Sequence, residues 1–204
     1  MINFKNQSGR SMIEMLGVLA IIGVLSVGGI AGYSKAMMKY RINKTIEQIT
    51  LIAGNVRTFF APQGNYDGLD SRVDTGKAII KKVKLVPDEM LTLDSDGKIT
   101  EITNAFGGKI SIYEQSKISV ADGKAFSIYI GNIPLDACIE LTVYDWRSAN
   151  ALGVMIETED NDLDYKLPLS IEDATDLCSN MINNGIRFDF DIDVNSSFWQ
   201  SNLN

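Results

Sequence analysis

The sequence predicts an α+β protein in which one long amino-terminal helix precedes a head that contains a β-sheet. Three observations support this prediction. An uncharged, mostly apolar run covers Met15–Ser34, and an amphipathic pattern continues it to about Phe60. The remainder alternates short strand-like segments with turn residues. Of the 204 residues, about 140 follow the helix, which is enough to bury a core.

Composition excludes several function classes. The net charge is −7 and the sequence pI is about 4.6, whereas a nucleic-acid binder needs a clustered basic face to neutralise phosphates. The chain contains no histidine, which removes histidine-dependent nucleophiles and most catalytic zinc sites. The sequence therefore predicts a protein that is not an enzyme and that uses no metal or cofactor.

The apolar run is long enough to cross a bilayer. It holds 20 consecutive uncharged residues, which matches the ~20 that a spanning helix needs. A permanent anchor, a secretory signal cleaved after Ala31 and a buried core helix are the competing interpretations. A core helix of so small a domain would not be apolar on every face. Glu14 precedes the run, where a carboxylate either marks function or lies among lipid headgroups.

The helical pattern continues beyond the apolar run without a break. Pro62 and Gly64 are the first residues that would end it, so we expect one helix from about Met12 to Phe60. Its second half carries an apolar stripe that we expect to pack against a sheet. The stripe consists of Met38, Ile42, Ile49, Ile52, Val56 and Phe59.

The head is predicted to mix strands and short helices. Residues 61–106 are interpreted as a connection with a short basic helix near 76–85 and a plain turn at 94–97, where a calcium loop would lack its downstream Glu. The predicted strands are 109–113, 124–130, 151–157, 163–167 and 186–194. The predicted helices begin at Pro134 and Ser170 and end near Trp146 and Ile182. A turn is expected at 183–185.

Two side-chain patterns in the head leave alternatives open. Asp189, Asp191 and Asp193 alternate along the last strand, so their face is either solvated or a divalent-cation site. Cys138 and Cys178 stand 40 residues apart with no metal-ligand spacing. They are either buried free thiols or a disulfide, and export from the cytoplasm would favour the bond.

The amino terminus carries a recognisable string. A short basic leader ends in Gly9, and RSMIEMLGVLAIIGVL follows. This string resembles the leader and first helix of type IV pilins and their type II secretion relatives. The resemblance implies cleavage between Gly9 and Arg10 by a prepilin peptidase and methylation of the new amino terminus at Arg10. It also implies that Glu14, fifth after the cut, meets a neighbouring subunit's terminal amine during assembly.

The head also resembles one branch of that family. The stretches NAFGGKISI, IPLDACIELTVYDW and EDATDLCSN are similar to elements of type IVb pilins. The resemblance implies the type IV pilin fold, in which the long helix packs on an antiparallel sheet. It also implies a disulfide between Cys138 and Cys178 that brackets a variable carboxyl region.

The resemblance further implies an organisation, a location and partners. Residues 1–9 would be the leader peptide, 10–60 the spine helix with 12–34 in the membrane, and 61–204 the head. The subunit would cross the inner membrane once, with its head in the periplasm, and then enter an extracellular pilus filament. Its partners would be copies of itself, the prepilin peptidase, the assembly ATPase, the inner-membrane platform and membrane lipid, with no nucleic acid.

Four functions compete at this point. The first is a pilus subunit that polymerises through its amino-terminal helix. The second is a minor pilin or type II secretion pseudopilin, which shares the same amino-terminal string. The third is a membrane-tethered binding module or enzyme, which would need a convergent polar constellation in the head. The fourth is a soluble protein secreted after cleavage at Ala31.

Overall fold

The computed structural model describes residues 12–115, 124–149, 151–158 and 162–191. The chain divides into two compact units, Met1–Tyr40 and Arg41–Asn204. The first helix, α1, covers Met12–Phe60, as the sequence predicts. It contributes its amino-terminal part to the first unit and Arg41–Phe60 to the second.

In the first unit, α1 presents apolar side chains on all sides. The most apolar stretch has a mean hydropathy of 2.2 and is 0% buried. Exposure reaches 85% at Met12, 75% at Val24 and 72% at Val27. By length and composition, α1 is therefore a helix able to cross a membrane.

In the second unit, one face of α1 is buried in the head. The buried positions are Ile42, Thr45, Gln48, Ile49, Ile52, Ala53, Val56 and Phe60. The predicted stripe is therefore confirmed at Ile42, Ile49, Ile52 and Val56 and wrong at its end. Phe60 is 1% exposed, whereas Phe59 is 37% exposed, because position 60 lies four residues after Val56 on the same helix face.

The end of α1 follows from the residues that come after it. Ala61–Gln63 form a single 3₁₀ turn that includes Pro62. Gly64 then adopts φ = 67° and donates its backbone N–H to the carbonyls of Phe60 and Ala61. Glycine accepts this left-handed conformation at no steric cost, so the helix stops here.

The head contains seven strands and three further helices within the described residues. The strands are β1 Leu91–Leu93, β2 Ile99–Ile102, β3 Ile110–Gln115, β4 Ala125–Ile130, β5 Ala151–Thr158, β6 Asp162–Lys166 and β7 Met181–Asp191. The helices are α2 Asp74–Lys82, α3 Leu135–Val143 and α4 Ile171–Ser179. β1 and β2 form a hairpin, and the other five strands form an antiparallel sheet in the order β3-β4-β7-β5-β6.

The core is built from one face of the sheet and the inner face of α1. Aromatic rings form a continuous series there: Phe60, Tyr66, Phe126 and Phe190 contact one another in turn with centroid distances of 5.8, 4.7 and 4.9 Å. All four are at most 1% exposed. Such pairs add to the hydrophobic stabilisation of the area that they bury.

The predictions for the β1–β2 hairpin and for the end of α3 differ from the structure. For the β1–β2 hairpin the sequence predicts only a turn. Asp94 does form this turn, because its side chain accepts the backbone N–H groups of Asp96 and Lys98. The two strands are too short to show a clear alternation of polar and apolar residues. α3 ends at Val143, before the predicted end at Trp146, whose indole is buried and donates to Leu141 O at 2.7 Å.

The predicted turn at 183–185 is wrong, because these residues lie inside β7. Ile156 pairs with Ile186 and Thr158 with Met181, so β7 carries extra residues opposite β5. Asn184 has φ = 47°, which shows that the turn-forming residues serve an irregularity within the strand. α4 accordingly ends at Ser179 and not near Ile182, because β7 begins at Met181.

Of the two interpretations of the aspartate face, solvation is wrong at Asp189. It is 0% exposed, and its carboxylate accepts a hydrogen bond from Ser127 Oγ at 2.6 Å and pairs with Arg187 Nε at 2.9 Å. Burial is compatible with a charge here because the charge is both paired and hydrogen-bonded. Asp193 and the side chain of Asp191 lie outside the described residues.

The close contact at Gly108 gives the first prediction. A Cβ on Gly108 would lie 1.9 Å from Gly131 O, whereas one on Gly54 would have no described atom within 4 Å. We expect Gly108→Ala to lower the free energy of unfolding by roughly 1–3 kcal/mol through overpacking. Gly54→Ala should raise it by up to about 1 kcal/mol, because alanine favours the helix. Urea unfolding of the full chain in detergent measures both, and equal values would contradict the contact.

The buried hydroxyl of Thr45 gives a second prediction. Thr45 is 0% exposed, and its Oγ1 has no hydrogen-bond partner among the described residues. Thr45→Val should raise the free energy of unfolding by roughly 1 kcal/mol, because it removes an unsatisfied polar atom without changing the shape. Thr142→Val is the matched control, since its buried Oγ1 is 3.0 Å from Cys138 O, and it should be neutral or destabilising. A destabilised Thr45→Val would contradict the prediction, because it would indicate that Oγ1 forms a stabilising hydrogen bond.

Candidate functional site

The predicted processing residues and the predicted assembly residue fall in different places. Gly9 and Arg10 lie outside the described residues. Glu14 lies in the first turn of α1 and is exposed. A carboxylate at this position interacts favourably with the positive end of the helix dipole, and it directly precedes the uncharged run of Met15–Ser34.

The helix of the first unit exposes apolar side chains that would be more stable in contact with lipid or protein than with water. A soluble head does not need such an uninterrupted apolar helix, and an apolar surface of this extent marks contact with lipid or protein. Once covered, the carboxylate of Glu14 would lose water, which is costly unless an opposite charge lies within reach. The surface of this helix therefore fits contact with lipid or with other helices, and Glu14 is the charged residue directly beside it.

Cys138 and Cys178 form a disulfide, which confirms the predicted pairing. They lie on α3 and α4, with their Cα atoms 5.9 Å apart, and both side chains are nearly inaccessible to solvent. The backbone N–H of Leu169 also donates to the carbonyl of Thr142 at 3.0 Å. The bond thus joins the two helices that flank β5 and β6, and it constrains a long loop of the unfolded chain.

The start of α4 is fixed by its own capping residues, as the sequence predicts. Ser170 Oγ accepts the backbone N–H of Asp173 at 3.1 Å and donates to the Asp173 carboxylate at 2.7 Å. This cap satisfies one N–H group, that of Asp173, which the helix cannot satisfy internally. The position of Cys178 opposite α3 depends on this defined start.

The segment NAFGG closes a turn that is attached to α1. Asn104 Oδ1 accepts the N–H groups of Phe106 and Gly108 at 2.8 and 3.0 Å, and its Nδ2 donates to Gly131 O at 2.8 Å. Gln48 of α1 accepts the N–H of Ala105 at 3.1 Å. The turn therefore links the helix to the β3–β4 hairpin through buried hydrogen bonds.

Sequence reasoning missed the role of Gln48, although a signal was present. Gln48 lies within the buried face of α1 and is only 8% exposed. A polar side chain at a buried position of an apolar stripe needs a partner. That requirement could have indicated a contact with the head, but the identity of the partner depends on tertiary structure.

A charged cluster lies on the sheet face that carries Ser127, Arg187 and Asp189. These residues share one face because they alternate with the core residues of β4 and β7. Tyr113 is opposite Ser127 in the register and interacts electrostatically with Arg187 and Asp189. Burial is the main cause that raises the pKa of its phenol. Arg72 lies over the Tyr113 ring at 4.0 Å and pairs with Asp70 at 2.8 Å.

Within the described residues, this charged cluster does not have the arrangement of a metal site. The carboxylate of Asp189 is bonded to Ser127 and Arg187. Asp189 therefore gives no support to the interpretation of a divalent-cation site. Within the described ranges, no group of three or more His, Cys, Asp or Glu side chains is placed to hold a metal ion. The cluster is a structural device that joins three adjacent strands.

Two cations of α1 connect the helix to the head. Arg57 donates to the carbonyl of Ala149 and lies over the Phe190 ring at 5.5 Å. Lys44 lies 3.3 Å from Glu47 and 3.2 Å from Glu89, and hydrogen bonds to Glu89 and then Glu47 raise the pKa of its amine. Because the pair with Glu89 is exposed, it adds little to stability, whereas Arg57 is partly buried and stacked.

This chain is similar in sequence to a known protein family and to two named proteins. The family model described as PilS N terminal matches residues 39–189. The major structural subunit of bundle-forming pilus from Escherichia coli O111:H- is 27% identical over 162 residues, which are 78% of this chain and 76% of that protein. The subunit of the same name from Escherichia coli O127:H6 (strain E2348/69 / EPEC) is similar to the same extent.

Two solved structures share the fold. The type IV b pilin from Salmonella typhi superposes with a TM-score of 0.53 at 15% identity, over 73% of this chain and 99% of that one. TcpA, a type IV pilin from Vibrio cholerae El Tor biotype, gives 0.50 at 12% identity, over 74% and 98%. The long helix, the antiparallel sheet and the disulfide are thus those of a pilin fold. With the family match covering most of its length, the chain belongs to the PilS N-terminal family and is a type IV pilin.

Proposed function

We propose that this chain is a non-enzymatic structural subunit that polymerises through α1 into an extracellular type IV pilus. The observation that carries the proposal is the apolar surface of the first unit, which is 0% buried over its most apolar stretch. Such a surface is stable in lipid before assembly and against other helices after it. The relatives named as major structural subunits support a role in the body of the filament.

The proposal includes the order of events at the amino terminus. Residues 12–34 hold the subunit in the inner membrane with its head in the periplasm, and a prepilin peptidase removes residues 1–9. The terminal amine of Arg10, which we expect to be methylated, then lies about one helical turn from Glu14. The assembly ATPase and the inner-membrane platform would move the processed subunit into the filament.

Glu14 gives the assembly step its specificity. In the membrane the carboxylate lies at the edge of the apolar run, at the positive end of the helix dipole. In a bundle of α1 helices it is desolvated, so only an opposite charge at the correct height compensates it. The terminal amine of a neighbour's Arg10 is such a charge, and pairing therefore favours one axial stagger of subunits.

The first test of the proposed function is the protein recovered from sheared surface filaments. We expect its intact mass to correspond to a chain that begins at Arg10, with one methyl group on the amine and two fewer hydrogens from the disulfide. A chain that begins at Gly32 would instead identify a conventionally secreted protein. A chain that begins at Met1 and stays in the cell membrane would identify a tethered protein.

The second test is the substitution of Glu14. Glu14→Ala and Glu14→Gln should still lose the leader, because cleavage depends mainly on Gly9, yet filament yield should fall at least roughly tenfold, since an unpaired buried partner is costly. Glu47→Gln is the matched control on the same helix, where an exposed carboxylate pairs with Lys44, and it should assemble normally. Processed Glu14→Gln subunits that form filaments at the parental yield would refute the pairing.

A further inference from the structure

Positive charge is concentrated in one cleft of an acidic chain. The cleft, of about 440 Å³, lies between α2 and the β1–β2 hairpin. Lys77, Lys81, Lys82 and Lys98 line it, together with the apolar side chains of Ala78 and Ile99. The chain as a whole has a net charge of −7, whereas the lining of this cleft contains four lysines and one aspartate. The charge of the cleft is therefore opposite in sign to that of the whole chain.

Two of the four lysines of this cleft are hydrogen-bonded to neutral groups. Lys77 Nζ donates to Thr100 O at 3.3 Å, and Lys81 Nζ donates to Gly97 O. Both acceptors are neutral carbonyls of the hairpin. Asp74 at the rim is the one carboxylate in the lining, and no described carboxylate forms a salt bridge with the four lysines. The cleft therefore presents excess positive charge around an apolar floor.

The opposite charge is displayed by α4. Glu172, Asp173 and Asp176 are all exposed, and their spacing of three and four residues places them on one side of the helix. α4 contains no basic residue, so every charged side chain on its exposed face is acidic. Ile171 at its start is 70% exposed, which provides an apolar group beside the acids.

The cleft and α4 belong to opposite edges of the five-stranded sheet. Asp70 pairs with Tyr113 along the free side of β3, and α2 begins four residues later, with Gly76 packed against the Asp70 carbonyl. α4 begins five residues after β6, which is the other edge strand, and it contacts β5 beside that edge. Three strand spacings separate β3 from β5, or about 14 Å. The two surfaces therefore do not meet within one head.

We propose that the lysine cleft receives the acidic face of α4 from the next copy of this chain in the filament. The inference rests on the proposed function, because it needs copies held side by side. Two different complementary surfaces on opposite edges form a heterologous contact, which repeats without closing and generates a helical assembly. Charge complementarity selects the contact, and Ile171 would reach the apolar floor formed by Ala78 and Ile99.

Zero-length cross-linking tests the contact in wild-type protein. Filaments are assembled from a mixture of unlabelled and ¹⁵N-labelled subunits, dispersed to single filaments and treated with a carbodiimide, which joins amines only to carboxylates in direct contact. We expect linked peptides between the cleft lysines and Glu172, Asp173 or Asp176, including pairs that combine both labels. Absence of these links from intact filaments, or their presence only in bundled filaments, would overturn the proposal. A parent strain that makes no filaments would instead refute the proposed function.

Charge reversal with rescue provides an independent readout. Lys81→Glu with Lys82→Glu should reduce filament yield roughly tenfold, since like charges then face each other. Glu172→Lys with Asp176→Lys should do the same, and the combination of both pairs should restore assembly. Lys109→Glu, at an exposed lysine outside the cleft, should leave the yield unchanged. Normal assembly of the cleft variant, or a combined variant without rescue although its disulfide and thermal unfolding are parental, would contradict the contact.

Discussion

The structure depends on the need to cover the apolar surface of α1. Between Arg41 and Phe60 the sheet provides the cover, and the buried face of the helix becomes part of the head's core. In the first unit nothing within the described chain covers the most apolar stretch of the helix. The folded subunit therefore still exposes an apolar surface whose contact with water is unfavourable. The proposed membrane retention and polymerisation would each cover this surface, first with lipid and then with neighbouring helices.

A helix that takes part in assembly also has to be firmly attached to the head that it carries. Hydrophobic contact alone is not directional, so the polar contacts define how the helix is seated. Gln48 binds the turn organised by Asn104, and Arg57 binds the carbonyl of Ala149. On the sheet's other face, Asp189 ties β7 to β4 through Ser127. These buried bonds are costly to leave unsatisfied, which favours a single arrangement of the head.

The sequence was informative wherever the governing interaction is local. The extent of α1, its stop at Pro62 and Gly64, and the cap formed by Ser170 follow from residues within one or two turns, and they were predicted correctly. The disulfide came from family resemblance, because its 40-residue separation has no local signature. Two of the errors concern Asp189 and the 183–185 segment, where charged and turn-forming residues lie inside the sheet. Their partners, Ser127 and β5, become neighbours only through the tertiary fold.

Copies of a chain with a net negative charge can still associate if the local charges at their contacts are complementary. Copies with a net charge of −7 repel each other at a distance, which keeps unassembled heads apart. At physiological ionic strength this repulsion is screened beyond about 8 Å, so packed subunits respond mainly to the charges directly at their contacts. A few lysines concentrated in one cleft then matter more than the total. Apolar burial of α1 supplies the drive to associate, and the uneven distribution of charge on the head selects which of the many possible associations persists.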